Sequence, residues 1–243
     1  MQLFFGDVEN YTLTAVVVMA YFLAAQLYLE GRVPLVAVAT ILAVAMTFHL
    51  LSAFLLPALA FLGFLEIRAG RRRSVLVSAV VFVSVLAGTL SFFHLQGLPI
   101  SDLYWHSHAF GHGGDIASML AQPSWAYYRG ILNLAFLLMP VSLFLLPLVA
   151  FGHIERDRTT VHLALAAAAA AAFVGLWEAK LGVYRDWNLF ACAAIPFSLL
   201  AARGLVGLRD RPLRWWAVAT GVALCGLHTY TWIVANHQLF RQR

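Results

Sequence analysis

"PLVAVATILAVAMTFHLLSAFLLPALAFLGFL", Pro34–Leu65, is the stretch on which the fold of this chain turns. Its one ionisable side chain is His49. About 20 apolar residues are needed to cross a bilayer as an α-helix. The stretch reads as two short, almost continuous segments, Pro34–Leu50 and Ser52–Leu65. One long kinked element and a tight hairpin both stay open, with Pro57 in the later part. The choice decides on which side of a membrane the N-terminus lies relative to every later loop.

Working outward, similar apolar runs recur along all 243 residues. Hydrophobic residues make up 62% and charged residues only 11%, against about 25% charged in a soluble domain. The sequence therefore predicts an all-α, polytopic transmembrane bundle of about eight segments. The others are Tyr11–Leu29, Val75–His94, Ile131–Phe151, Val161–Trp177, Asn188–Val206 and Trp215–Ala235. Residues 1–243 read as a single integral membrane domain with a polar outer connection, Leu95–Gly130. The short alternating strands of a membrane β-barrel are not seen. Asp7 and Glu9 precede the first apolar run and no basic region does, which is unlike a secretory signal. Cys192 and Cys225 fall inside apolar runs and read as small core residues. The seven consecutive alanines, Ala166–Ala172, allow close helix approach, although low complexity without function is the plainer reading.

Sidedness follows from the basic residues. With the N-terminus outside and strict alternation, eleven arginines face inward, anchored by "RAGRRR" at Arg68–Arg73, and five basic residues face outward. A net charge of +5 thus reports cytoplasmic loops and not nucleic acid. Seven of the nine histidines then gather toward the outer face, leaving His153 and His162 inside.

Several polar groups collect on that outer face. "FFGDVENYTLT" puts Asp7, Glu9 and Asn10 at the mouth of the first span. A carboxylate at a low-dielectric boundary can serve as a general base, and the same residues also suit a hydrated helix start. His49 is either a functional group at membrane depth or a hydrogen-bonding residue at a turn. "DLYWHSHAFGHGGD" offers His106, His108, His112 and Asp115, which match no strict zinc signature. "SWAYYRGILNL" places Arg129 one turn before Asn133 on one helical face, behind an aromatic belt. "YRDWN", Tyr184–Asn188, combines a planar fork donor, a carboxylate, an indole and an amide. The mixture suits phosphate and sugar recognition, or an interfacial Arg–Asp pair.

"FFGDVENYTLTAVVVMAYFLAAQLYLEGRVPL", "FHLLSAFLLPALAFL", "PSWAYYRGILNLAFLLMP" and "RDWNLFA" together resemble bacterial membrane glycosyltransferases of the GT-C type. In that branch the last motif often reads D-W-D-L-F-A, and here Asn188 replaces the second acid. The resemblance implies a polyprenyl-phosphate sugar donor used at the outer membrane–water boundary of the inner (plasma) membrane. By position it implies Asp7 or Glu9 as catalytic base, with Arg129 and Arg185 on the lipid phosphate. His49, Asn133, Tyr184, Asp186, Trp187 and Asn188 complete the implied substrate site. No resident cofactor or metal is implied, a divalent metal being the open option. The expected partners are the lipid-linked donor and membrane lipids, not nucleic acid. In such enzymes the key acid usually follows a first span, so the chain resembles the later part of a longer enzyme, or a reduced relative. The competing class is a non-enzymatic membrane component: a transporter, lipid-binding subunit or assembly partner. Transporters favour midplane sites and internal repeats, whereas here the polar groups sit at the rim and no convincing repeat is found. A metal-dependent hydrolase on the histidine cluster ranks third.

Overall fold

A computed structural model describes residues 11–97, 124–151, 157–177, 190–208 and 211–241. Within them the regular elements are helices: α1 Tyr11–Leu29, α2 Leu35–Phe48, a 3₁₀ segment Leu50–Leu55, α3 Leu56–Arg68 and α4 Arg72–Leu95. The second half holds α5 Trp125–Leu138, α6 Pro140–Phe151, α7 Arg158–Leu176, α8 Ala194–Gly207 and α9 Arg211–Arg241.

Among the described residues four stretches are long and apolar enough to cross a membrane: Thr12–Leu29, Leu50–Arg68, Arg72–Leu95 and Arg158–Leu176. A fifth is added if the bent pair Trp125–Leu138 and Pro140–Pro147 counts as one. The described residues are thus all-helical, with four or five stretches suited to crossing a membrane, and the expected eight segments are met in part. Helices α2 and α8 have 14 residues each. At 1.5 Å per residue that is roughly 21 Å, short of a hydrocarbon core of about 30 Å. The expected fifth segment, Ile131–Phe151, is not continuous. It bends by 102° between α5 and α6. Pro140 has no N–H to continue the ladder and pushes the residue before it out of the helical region. Met139 accordingly sits at φ −146°, ψ 53°.

The Pro34–Leu65 stretch is a hairpin, and the single kinked element is excluded. His49 is extended at φ −157°, ψ 119°, and the chain restarts behind it as the 3₁₀ segment. The Tyr28 hydroxyl, near the end of α1, donates to Glu66 Oε1 at 2.7 Å, near the end of α3. Helices α1 and α3 therefore finish together, and α2 runs back between their two ends. Pro57 lies in the first turn of α3, where an N–H has no intrahelical partner to lose. Gly31 and Gly70, with φ of +75° and +78°, terminate α1 and α3. Each permits a bond back across the last turn, from Arg32 N–H to the Leu27 carbonyl and from Arg71 N–H to the Glu66 carbonyl.

The core is built from Val18, Tyr21 and Ala25 of α1, Val38 and Leu42 of α2, Leu55, and Leu62 of α3. The alanine run is part of this core and not an idle repeat. Ala166, Ala167 and Ala170 of α7 are buried, on a helix that packs against α1, the 3₁₀ segment and α3, while Ala168 and Ala171 are exposed. Small side chains on one helical face let α7 pack against the first half of the chain and against α8. Cys192 is buried as expected, but Cys225 is exposed on α9, so only one of the two is a core residue.

Candidate functional site

The bundle has two chemically different ends. Helices α1, α3 and α8 finish, and α4 and α7 begin, at an end carrying Arg32, Arg68, Arg71, Arg72, Arg158 and Arg203. At the opposite end lie His49, the start of α5 and the finish of α7. We call these the basic end and the aromatic end.

The aromatic end is organised by Tyr127 and Phe173. Ser124 caps α5, its hydroxyl accepting from Tyr127 N–H at 3.1 Å. That cap fixes the first turn and aims Tyr127 across to α7. The Tyr127 hydroxyl meets the Val174 carbonyl at 3.0 Å and also the Trp177 carbonyl. The Phe173 ring lies 5.6 Å from Trp177, 5.9 Å from Phe190 and 6.4 Å from Phe54. One ring thus gathers Phe54 of the hairpin, the end of α7 and Phe190 shortly before α8. Beneath it an apolar cavity of about 180 Å³ lies between α5, α7 and α8.

Among the expected site residues, Arg129 and Asn133 are one turn apart on the exposed face of α5, with Gly130 and Leu134 turned inward. His49 acts as a cap: its Nδ1 accepts from Leu51 N–H at 3.2 Å, starting the 3₁₀ segment. The hydrogen-bonding turn role expected for it is found. Asp7, Glu9, Tyr184, Arg185, Asp186, Trp187 and Asn188 lie outside the described residues, as do His106, His108, His112 and Asp115. Among the described residues no group of three His, Cys, Asp or Glu side chains is arranged to hold a metal.

The basic end carries the polar contacts that the sequence reading passed over. Glu66, 3% exposed, accepts from Arg71 Nε at 2.9 Å and Nη2 at 2.8 Å, besides Tyr28. This fork ties the α3–α4 turn to α1. Asp157 caps α7 by accepting from Thr160 N–H at 2.8 Å and pairs with Arg203 of α8. Burial works against its ionisation, but the Thr160 N–H and the Arg203 guanidinium outweigh that and hold its carboxyl below the ordinary value. Deeper in, the Tyr21 hydroxyl lies 3.1 Å from His162 Nε2 in a fully buried contact, with the Phe22 ring against the imidazole. "DRTT" carried a legible cap signal for Asp157. Nothing local in the sequence paired Tyr21 with His162, since 141 residues separate them.

No known protein family, no curated protein and no solved structure matches the chain.

Proposed function

We propose that the chain is a glycosyltransferase-like protein of the bacterial inner membrane, crossing it several times. It takes sugar from a polyprenyl-phosphate donor at the face bearing the aromatic end. The observation that carries this reading is the convergence on Phe173. Trp177 and Phe190, which flank the segment containing Tyr184–Asn188, both touch that ring. Tyr127, two residues before Arg129, is tied to the same turn of α7. The start of α5, which carries Arg129, and the two residues Trp177 and Phe190 thus meet at one rim, and this supports a shared site for Arg129 and Arg185. Aromatic faces suit sugar rings, and arginine forks suit phosphate.

In this reading Arg129 and Arg185 hold the donor phosphate. Asp7 or Glu9 takes the proton from an acceptor hydroxyl, whose oxygen attacks the anomeric carbon. The bond from that carbon to the phosphate oxygen breaks, and polyprenyl phosphate leaves with the electron pair, its charge met by the arginines. The second reading, a non-enzymatic lipid-binding component, draws on the polar network at the opposite end.

The deciding experiment is binding of labelled polyprenyl phosphate to the detergent-solubilised chain. Arg185→Ala is expected to weaken binding about tenfold or more while leaving thermal unfolding nearly unchanged. Arg185→Lys is expected to recover only part, because an ammonium lacks the planar fork. Equal binding by wild type and both variants would sink the glycosyltransferase reading.

A further inference from the structure

Three helices present matched faces near the basic end. Helix α1 offers Met19, Phe22, Leu23 and Gln26, at the spacing of one helical face. Helix α7 offers Thr159, His162 and Leu163, and α8 offers Leu199 and Arg203. Together they enclose a cleft of about 370 Å³, within the size range of small-molecule sites.

The lining is graded along the bundle axis, and the helix directions make it so. Helices α1 and α8 run toward the basic end, which puts Gln26 and Arg203 nearer that end than Met19 and Leu199. Helix α7 starts there, which puts Thr159 above Leu163. The upper cleft is therefore polar. The Thr159 hydroxyl donates to Gln26 Oε1 at 3.2 Å, and Gln26 Nε2 donates to Glu30 at 2.9 Å. Arg203, with a third of its side chain exposed, meets Asp157 through Nη2. A guanidinium has five N–H donors, so one pairing does not exhaust it. The lower cleft is apolar, and Met19 and Leu23 at its lip are exposed on a helix apolar enough to cross a membrane. His162 closes the floor, held by Tyr21.

We propose that this cleft binds an anionic phospholipid, its phosphate at Arg203 and the start of an acyl chain along Met19, Leu23 and Leu199. Charge complementarity selects the headgroup. Among the described residues the acids at this end are Glu30, Glu66 and Asp157, and each is paired with an arginine. Arg68, Arg72 and Arg158 add further positive charge around it. Basic residues at a membrane surface attract anionic lipids, which are enriched in the cytoplasmic leaflet. The apolar lower half, open beside exposed Leu23, selects a lipid over a free anion. The site is separate from the aromatic rim and does not rest on the glycosyltransferase reading.

The test is titration of the delipidated, detergent-solubilised full chain with short-chain phosphatidylglycerol, phosphatidylcholine or inorganic phosphate. Phosphatidylglycerol is expected to bind about tenfold or more tightly than either alternative. Arg203→Gln, which removes the cation, and Leu199→Trp, which fills the lower cleft, should each weaken it by about the same factor. Asp157→Asn keeps a capping residue and a charged Arg203, so binding should stay within about threefold of wild type. Equal binding of the two lipids overturns the headgroup assignment, and phosphate binding as tightly as lipid overturns the lipid. A Leu199→Trp chain that folds and binds normally excludes this cleft whatever Arg203→Gln does. Asp157→Asn losing as much as Arg203→Gln reduces Arg203 to a structural partner.

Discussion

The basic end is held by side chains meeting side chains, and the aromatic end by rings and backbone carbonyls. At the basic end Tyr28, Glu66 and Arg71 close a three-membered network, and Asp157 meets Arg203. At the aromatic end Tyr127 reaches two backbone carbonyls at the finish of α7. A satisfied network holds its elements in one arrangement, because any departure strands a buried polar atom. A ring cluster has broader contact geometry, and here it leaves the Arg129 side chain exposed. The contrast separates an end braced by a side-chain network from an end held by ring contacts.

The contrast can be broken most directly at Glu66. Glu66→Ala strands the Tyr28 hydroxyl and frees Arg71 at the α3–α4 turn. We predict a loss of about 2–3 kcal/mol in reversible unfolding in detergent, below a fully buried ion pair because Arg71 is well exposed. Glu66→Gln keeps the contact with Tyr28 and should lose about half as much. A change within error for Glu66→Ala would mean that the basic end is not braced by this network.

Tyr127→Phe is the matching test at the aromatic end. It removes the hydroxyl and keeps the ring, so the expected loss is about 1 kcal/mol. Amide exchange should rise in the last turn of α7, near Phe173–Leu176, and stay unchanged near Asp157. Faster exchange at both ends of α7 would show that the ends are not independent.

The smallest expected effect is the pH dependence of Asp157. Its folded pKa is depressed, so its contribution is complete above the ordinary value of 3.8 and disappears as pH falls through the lower folded value. Both partners are partly exposed, and the contribution is below about 1 kcal/mol. Unfolding of wild type should therefore be flat above about pH 5 on this account and lose its advantage over Asp157→Asn below about pH 4. A difference between the two that is constant down to about pH 2 would assign the effect to the cap and not the charge.

Much of the local architecture was legible because it is written over a few residues. Asp157 and Ser124 sit where their oxygens can take an N–H three residues on. Pro140 ends α5 for reasons that involve only its own ring, yet Ile131–Phe151 read as continuous because every residue in it is compatible with lipid. The Pro34–Leu65 stretch left three outcomes open, since an apolar run carries no sign of where it folds back. His49 was a candidate in that run, and the structure shows it starting a 3₁₀ turn.

The basic cleft was not legible at all. Helix α1 is apolar nearly all round, so no face announces itself as the lining of a site. By itself the sequence determined helices, an apolar class suited to a membrane, and a division of charged and aromatic residues between ends, because backbone hydrogen bonding and hydrophobicity act locally. Only the tertiary structure decided that Tyr21 meets His162 and that Gln26 meets Thr159, pairs 141 and 133 residues apart. Each successive residue turns about 100° around a helix axis, so a small rotation of one helix replaces every partner it has. Those rotations are set by how the alanine face of α7 packs against its neighbours, and not by any stretch of sequence taken alone.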